Sequence, residues 1–230
     1  MEKARNAPAF LFDLDGTLVD SVYQHVLAWR EALECCGIEL SVWRIHRRVG
    51  MSGGLFASAL LRETGKPVTP EQLLLLQQKH ADAYARQVAQ VRPLPGTNEL
   101  LAFLTKLKVA WAIATSGRND FVQQTLRTLR IPSDVPIVTR DQVLHAKPDP
   151  DLFLAAAERL NANIRTSFVV GDSVWDLLAA RRAGALGIGL LSGGYGQDEL
   201  IAAGAYRVYQ DPHDLFEHLD EVGVRAAAEL

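Results

Sequence analysis

Two aspartates near the N-terminus, Asp13 and Asp15, have a type and spacing suited to chemistry on a single ligand. They follow a short apolar run that predicts a buried strand, and open α/β sheets bind ligands at the carboxyl ends of such strands. Carboxylates this close repel each other unless a cation or a shared proton lies between them. Because a solvated acidic turn also explains an isolated Asp-x-Asp pair, its interpretation depends on the ends of the neighbouring strands.

The end of a second candidate strand adds groups that bind anions. It carries Thr115, Ser116 and Gly117, which supply two hydroxyls and backbone amides that a ligand can approach closely. Hydroxyls and amides between a strand and a helix are typical partners of phosphate oxygens. This second strand end therefore predicts a phosphate contact.

A lysine and two further aspartates complete the set. Lys147 lies directly before Pro148, in a stiff segment ahead of a predicted helix, where a solvated surface charge is the alternative interpretation. Asp172 ends another buried strand, and Asp176 lies one helical turn beyond it. Carboxylates, hydroxyls and a lysine at one sheet edge predict a site for a hard dication and a phosphate.

Six short runs rich in branched and aromatic residues supply the strands that must position these groups. Their apolarity is continuous, which is typical of parallel strands buried on both faces. Segments of helical periodicity separate the runs, and this alternation predicts a doubly wound parallel, Rossmann-like α/β sheet. The predicted strands are residues 9–13, 109–115, 137–139, 167–172, 186–191 and 206–209.

The segment of residues 21–91 interrupts this alternation, because it contains no convincing strand. The segment 91–96 that follows is rich in Pro and Gly and is a candidate hinge. We therefore predict an α/β core of residues 1–20 and 92–230 that carries an all-helical insertion of residues 21–91. The helices predicted within the insertion are residues 22–36, 41–49, 55–64 and 70–89.

The composition excludes several classes of protein. Of the 230 residues, 48% are hydrophobic and 22% are charged, which is typical of a globular chain and not of a disordered or fibrous one. The 24 basic and 27 acidic residues give a net charge of −3. No basic run indicates a surface for nucleic acid or an anionic membrane.

The sequence also predicts where the protein resides. The N-terminal segment lacks the apolar stretch of a secretory signal, and no run approaches the roughly 20 apolar residues of a membrane span. The two cysteines, Cys35 and Cys36, are adjacent, a spacing unsuited to a mutual disulfide. We therefore expect a cytoplasmic monomer or homodimer that binds neither nucleic acid nor membrane.

Four motifs resemble, in order, those of the haloacid dehalogenase-like (HAD) hydrolase superfamily. They are Asp13-Leu14-Asp15-Gly16-Thr17, Thr115-Ser116, Lys147-Pro148 and Gly171-Asp172-Ser173-x-x-Asp176. The helical insertion resembles the small helical cap of family members similar to phosphoglycolate phosphatase and β-phosphoglucomutase. The resemblance spans nearly the whole chain, and it implies the same α/β core with residues 21–91 as the cap domain.

The resemblance implies catalytic roles for Asp13, Asp15, Thr115 and Lys147. Asp13 would attack phosphorus and form an aspartyl-phosphate, which divides one difficult displacement into two. Asp15 would protonate the leaving alcohol and later activate water. The residues that would hold phosphoryl oxygens are Thr115, Ser116, Gly117 and Lys147.

A Mg²⁺ site is also implied by the resemblance. The ion would be held by Asp13, the main-chain carbonyl of Asp15 and Asp172, with Asp176 supporting through water or through contacts to the ligands. Positive charge from such an ion, a lysine and amides neutralises the charge on a phosphoryl group in transfer.

Further candidates for substrate contact lie in the insertion and directly after the second motif. His25 shares a helix face with Trp29 and could touch substrate, brace the hinge or simply belong to that face. The arginines of the insertion precede a glycine-rich loop, residues 50–54, whose amides could lie over the site. Exposed helix charges and helix capping are the alternatives. The candidates are His25, Arg47, Arg48, Arg118 and Asn119.

The expected activity is that of a Mg²⁺-dependent phosphatase acting on a small phosphorylated metabolite, of the phosphoglycolate or sugar phosphate type. A phosphomutase similar to β-phosphoglucomutase uses the same groups and is the main alternative. Dehalogenase relatives lack the second carboxylate that Asp15 provides here, which disfavours dehalogenation. A receiver-type phospho-acceptor also combines an Asp, a hydroxyl and a lysine, but it is shorter and has no helical cap.

Overall fold

The computed structural model describes residues 8–51, 53–65 and 69–225; Ser52 of the predicted glycine-rich loop lies outside them. Two sheets occur among these residues, a six-stranded one at the centre and a two-stranded one beside it. Each of the six predicted strands is present, within two residues of its predicted ends. In chain order the strands are β1 (Ala9–Phe12), β2 (Val19–Asp20), β3 (Arg92–Pro93), β4 (Ala110–Ala114), β5 (Ile137–Val138), β6 (Phe168–Gly171), β7 (Leu186–Leu190) and β8 (Ala205–Tyr209).

The central sheet has the strand order β5-β4-β1-β6-β7-β8, and its strand pairs are all parallel. From β1 the chain first adds β4 and β5 on one side and then crosses over to add β6, β7 and β8 on the other. This is the doubly wound order that the sequence predicts. The direction of winding reverses between β1 and β6, so their carboxyl ends border the crevice where such folds bind ligands.

Helices cover both faces of the central sheet and also form the insertion. None of the helices in the described part of the chain has the length and apolarity needed to cross a bilayer. Short 3-10 turns include Arg140–Gln142 and Leu191–Gly193. In chain order the helices are α1 (Val22–Cys35), α2 (Val42–His46), α3 (Gly53–Glu63), α4 (Pro70–Ala85), α5 (Thr97–Lys106), α6 (Asn119–Leu126), α7 (Asp151–Arg159), α8 (Val174–Ala183), α9 (Gln197–Ala203) and α10 (Pro212–Glu217).

Successive side chains of the central strands enter different hydrophobic clusters. In β1, Phe10 and Phe12 pack with Leu100 of α5, whereas Leu11 packs with Phe153 of α7 on the opposite face. All of these side chains are buried. Burial on both faces is the physical reason for the continuous apolarity of the strands, and it makes the sheet a rigid support for the residues at its carboxyl edge.

The insertion has a hydrophobic core of its own. On α1, Val26, Trp29 and Leu33 recur at helical spacing and pack with Phe56 of α3 and Leu76 of α4. The rings of Trp29 and Phe56 lie 4.2 Å apart between their centres. This apolar stripe explains why helices, and not strands, form here.

The insertion differs from its prediction at its ends. The second helix ends at His46, not residue 49, and α4 ends at Ala85, after which a 3-10 turn spans Val88–Gln90. The antiparallel pair of β2 and β3, which places Asp20 opposite Arg92, was not predicted. Two-residue strands are too short to produce a periodic pattern. The pair joins the chain segments that enter and leave the insertion.

Candidate active site

The ammonium group of Lys147 lies between two carboxylates from different parts of the fold. It forms ion pairs with Asp13, which follows β1, and with Asp176 of α8, the latter at 2.7 Å. Lys147 is fully buried. Burial alone would lower the pKa of Lys147, but Asp13 and Asp176 outweigh it and raise that pKa above its ordinary value. The lysine is therefore held as a charged group against Asp13.

Asp172, which follows β6, joins Asp13 and Asp176 from the neighbouring strand. Its Oδ1 accepts a hydrogen bond from Thr17 Oγ1 at 2.9 Å. The Oδ2 atom of Asp176 accepts a hydrogen bond from the Ser173 amide at 3.1 Å, which caps the start of α8. Ligand oxygens of the three aspartates lie within 4.8 Å of one another. Hydrogen bonds thus orient two of these carboxylates toward a common point.

The charges of this cluster do not balance. Within the described residues, three buried carboxylates face the single ammonium group of Lys147. Burial, opposed by Lys147 and reinforced by Asp176, raises the pKa of Asp13 to about 7. Burial and the neighbouring Asp176 also raise the pKa of Asp172 well above its ordinary value. A dication among these oxygens would offset the repulsion, and carboxylates are ligands that hard dications prefer, so the residues fit a divalent metal ion.

The carboxylate of Asp15 contacts the insertion and not the cluster around Lys147. Its Oδ1 accepts a hydrogen bond from Ser21 Oγ at 2.7 Å and lies 3.2 Å from His25 Nε2. Burial would raise the pKa of Asp15, but His25 and Ser21 outweigh it and hold that pKa below its ordinary value. The side chain is not part of the acidic cluster, which leaves its main-chain carbonyl as the group for the expected metal contact.

The second motif lies at the end of β4, as predicted. The Thr115 amide donates to the Val138 carbonyl at 2.9 Å, and Thr115 Oγ1 accepts from the Gly117 amide at 3.0 Å. The Ser116 hydroxyl donates to the Gly50 carbonyl at 3.2 Å and so connects the sheet edge to the insertion. Hydroxyls and amides of these residues therefore lie beside Asp13 at one edge.

Two histidines and two aromatic residues form a stacked layer on the insertion side of the site. The ring of His25 lies on Tyr84 with centres 4.0 Å apart, and the ring of His80 lies on Trp29 at 4.1 Å. His25 Nδ1 is 3.1 Å from His80 Nε2. Burial and the neighbouring His25 hold the pKa of His80 well below its ordinary value, which favours the neutral form of this histidine. The layer supplies both apolar faces and imidazole nitrogens.

A cavity of about 640 Å³ lies between the sheet edge and the insertion. This volume is within the range of small-molecule sites, roughly 300–1,000 Å³. The core contributes Asp13, Asp15, Thr115, Ser116, Gly117, Arg118 and Arg140 to its lining. The insertion contributes His25, Trp29, Gly50, Phe56, Gln77, His80 and Tyr84. The cavity therefore joins a polar floor to a partly aromatic roof.

The structure does not bring Arg47 and Arg48 to this cavity. Arg47 pairs with Glu199 of α9, and its guanidinium carbon lies 4.2 Å from the centre of the Tyr195 ring. Arg48 pairs with Glu63 inside the insertion. Because the second helix ends at His46, both arginines fall on the turn after it, where Arg47 faces α9 and Arg48 faces α3. Arg47 thus connects the insertion to the core.

Of the two candidates that follow the second motif, only one lines the cavity. Arg118 lines the cavity, and its Nε lies 3.3 Å from a carboxylate oxygen of Asp141. The Asn119 amide donates to the other oxygen of Asp141 at 2.7 Å, and the Asn119 side chain accepts from Gln123. Asn119 is the first residue of α6 and does not line the cavity. Its contacts fit the start of a helix.

The profile of the haloacid dehalogenase-like hydrolases matches residues 7–184. The chain belongs to this family. A β-phosphoglucomutase from Bacillus subtilis (strain 168) is 31% identical over 214 residues, which are 90% of this chain and 91% of that protein. A phosphoglycolate phosphatase from Caulobacter vibrioides is 30% identical over 210 residues, 87% of this chain and 85% of that protein. A solved hydrolase from Pseudomonas syringae is 55% identical with a TM-score of 0.92, covering 94% of this chain and 100% of that one.

Membership of the HAD-like hydrolases confirms the resemblance that the four motifs suggest, and the chain is an enzyme. The fold prediction is confirmed as well, because a parallel α/β sheet with a helical insertion is present. The acidic groups and the lysine of the motifs meet at the edge bordered by β1 and β6.

The sequence analysis did not identify several residues that line the cavity, among them His80 and Tyr84 of α4 and Arg140. One signal was available. His80-x-x-x-Tyr84 repeats the spacing of His25-x-x-x-Trp29, and residues four apart lie on the same helix face. Two such pairs on two helices of one insertion indicate facing stripes, but the pairing of the helices is a tertiary property.

Gly193 gives a test of the acidic cluster, because a Cβ at this position would overlap the carboxylate of Asp172. Gly193→Ala is expected to displace that carboxylate and to weaken divalent-metal affinity by about 10–100-fold. Calorimetric titration of the metal-free protein with Mg²⁺ measures the effect. Gly196→Ala is the control, since its Cβ would meet Glu199 at an ordinary 3.5 Å. Equal Mg²⁺ affinity in both variants would contradict the placement of Asp172.

Proposed function

We propose that the protein is a Mg²⁺-dependent phosphatase that hydrolyses a small phosphorylated metabolite, of the phosphoglycolate or sugar phosphate type, through an aspartyl-phosphate on Asp13. The observation that carries the proposal is the ion pair of Lys147 with Asp13 at the floor of a cavity that Asp15 also lines. The lysine favours the ionised form of Asp13, which is the nucleophile. A relative named as a phosphatase supports hydrolysis of a phosphate ester.

In the first step, a carboxylate oxygen of Asp13 attacks phosphorus, and the bond from phosphorus to the leaving oxygen breaks. Asp15 gives its proton to that oxygen. The pKa of Asp15 is low in the free protein, but the negative charge of an arriving phosphate raises it and favours the protonated form. Thr115 and Lys147 hold the phosphoryl oxygens during the transfer.

In the second step, Asp15 acts as the base. It takes a proton from a water molecule whose oxygen attacks phosphorus, and the bond between Asp13 and phosphorus breaks. Inorganic phosphate leaves, Asp13 is regenerated, and the proton on Asp15 is ready for the next leaving group. The two steps use Asp15 in opposite protonation states. Its contacts, Ser21 and His25, are hydrogen-bonding side chains that can hold the carboxyl group in either state.

The metal ion of this proposal would be held by Asp13, Asp172 and the main-chain carbonyl of Asp15, with Asp176 in support. Its chemistry is the offset of negative charge on the phosphoryl oxygens and the carboxylates. Thr17 orients Asp172, and Ser173 orients Asp176, through the hydrogen bonds described above. These side chains keep the acidic residues in place before substrate arrives.

The insertion, residues 21–91, acts in this proposal as a cap that selects substrate and excludes water. Two contacts support this role by joining it to the core around the cavity. His46 Nε2 lies 2.7 Å from the Gly193 carbonyl, and Arg47 pairs with Glu199. The β2–β3 pair supplies the hinge about which the cap would open for water and product.

Incubation with a glucose 1-phosphate and a panel of phosphate esters tests the proposal. We expect release of free phosphate. Isomerised sugar without free phosphate would instead support a phosphomutase, the second candidate, which the 31% identical β-phosphoglucomutase favours. A stable phosphoprotein without product would indicate a phospho-acceptor and contradict both enzymatic assignments.

A further inference from the structure

We infer that His80 is a positioning residue, which holds the imidazole of His25 against the carboxylate of Asp15. The inference rests on the proposed function, in which Asp15 is the acid and base. It assigns a task to a residue of α4 that touches neither Asp15 nor the phosphate-binding groups directly.

The three side chains form a continuous line of hydrogen-bonding atoms. Asp15 Oδ1 lies 3.2 Å from His25 Nε2, and His25 Nδ1 lies 3.1 Å from His80 Nε2. Both nitrogens of the His25 ring are therefore engaged. An imidazole held at one nitrogen only can swing about that contact, whereas one held at both has its plane and its direction fixed.

Ring stacking restricts motion of the same side chains perpendicular to their ring planes. The ring of His25 is stacked nearly parallel to that of Tyr84, at an interplanar angle of 4°, and His80 is stacked on Trp29 at 16°. Tyr84 is anchored in turn by its hydroxyl, which lies 3.2 Å from Thr125 Oγ1 on the core. Stacking sets the height of each ring above its neighbour but leaves rotation within the plane open. The bond between the histidines is what limits that rotation.

The contact also keeps a hydrogen of His25 directed at Asp15. A neutral imidazole donates from one nitrogen and accepts at the other, and the partner of one nitrogen sets the state of the second. Two arrangements satisfy the contact: His80 Nε2 donates to His25 Nδ1 and the hydrogen of His25 is on Nε2, or a doubly protonated His25 donates from Nδ1 to His80 Nε2. In both of them a hydrogen on His25 Nε2 faces Asp15. Loss of His80 removes this control, although the residue lies one ring away from the carboxylate.

Leaving-group dependence separates this role from simple packing. Phenyl phosphate and p-nitrophenyl phosphate are both aryl phosphate monoesters, but phenolate is the poorer leaving group and needs its proton more. A fault in the positioning of Asp15 therefore slows phenyl phosphate more strongly, whereas a loosened fold slows both. The test variant is His80→Leu, and His80→Gln is its conservative partner because the amide nitrogen of glutamine can replace Nε2. Asp15→Asn is the reference for loss of the acid. Lys79→Leu is the control on α4, since Lys79 is exposed.

We expect His80→Leu to lower kcat for phenyl phosphate by about tenfold or more and kcat for p-nitrophenyl phosphate by less than about threefold, with KM little changed. Asp15→Asn should show the same pattern with larger losses. His80→Gln should recover most of the phenyl phosphate activity, and Lys79→Leu should match the wild type. Equal losses on the two esters in His80→Leu, or no recovery in His80→Gln, would overturn the inference.

A second measurement does not depend on turnover. The ¹⁵N chemical shifts of the His25 ring report the hydrogen and the hydrogen bond at each nitrogen, and the Nδ1 shift should change in His80→Leu but not in Lys79→Leu. Unchanged His25 shifts in His80→Leu would overturn the inference. If the wild type hydrolyses neither ester, the proposed function fails, and the ring shifts still decide whether His80 controls His25.

Discussion

Replacement of Asp13 by asparagine is expected to lower turnover of any phosphate ester by at least about a thousandfold. An amide oxygen of the same size cannot serve as the nucleophile, so the covalent intermediate does not form. The fold should persist, because Lys147 keeps Asp176 as its ion-pair partner at 2.7 Å. Loss of one carboxylate also relieves repulsion within the acidic cluster, and the melting temperature of the metal-free variant should not fall. Steady-state kinetics with p-nitrophenyl phosphate and thermal unfolding measure the two effects.

Asp220→Asn is the matched control for this variant. It makes the same chemical change, but Asp220 is exposed and lies outside both the cavity lining and the hinge. Its activity should equal that of the wild type. Mass spectrometry of the Asp13→Asn protein excludes deamidation back to aspartate. An intact Asp13→Asn variant with activity within tenfold of the wild type would remove Asp13 from its assigned role.

Removal of divalent metal is the second change for which we expect a very large effect. EDTA should abolish activity, and Mg²⁺ should restore it, because three buried carboxylates with one lysine cannot accept a negatively charged phosphate unaided. Added Ca²⁺ should inhibit, since its larger and looser ligand shell suits the geometry less well. Steady-state kinetics after chelation and after addition of each metal measure this dependence. The Asp172→Asn variant should need at least about tenfold more Mg²⁺ than the wild type.

Thermal unfolding measures the binding of metal to the site in the absence of substrate. Burial raises the pKa of Asp13 to about 7, so protons compete with the cation for this carboxylate below that pH. Mg²⁺ should therefore raise the melting temperature more at pH about 8 than at pH about 5.5. The same stabilisation at both values, or full activity in excess chelator, would contradict the metal site.

The strands and the motif residues could be predicted because local signals determine both. Burial on two faces makes β1 and β6 continuous apolar runs, and the carboxyl ends of parallel strands meet at one edge. The meeting of Asp13 with Asp172 follows from that rule alone. The burial of Lys147 does not follow from a local signal, since a buried lysine and a solvated one have the same sequence pattern until their partners are placed.

The contacts of the insertion could not be predicted in the same way. His80 meets His25 only because α1 and α4 pack with these faces together, and no local pattern specifies that pairing. Arg47 was expected at the substrate, but the early end of the second helix turns it toward Glu199. A shift of a few residues in a short helix changes which partner a side chain reaches, and sequence periodicity does not resolve such a shift.

The most direct test of the central claim is to trap the covalent intermediate on the wild-type protein. The Mg²⁺-loaded enzyme is mixed with p-nitrophenyl phosphate, quenched in acid within the first turnover and reduced with borohydride, which converts an aspartyl-phosphate to homoserine. Peptide mass spectrometry then locates the change. We predict homoserine at position 13 and at no other aspartate, in an amount that depends on substrate. Release of phosphate by an enzyme whose Asp13 stays unmodified, or trapping at a different residue, would contradict the account.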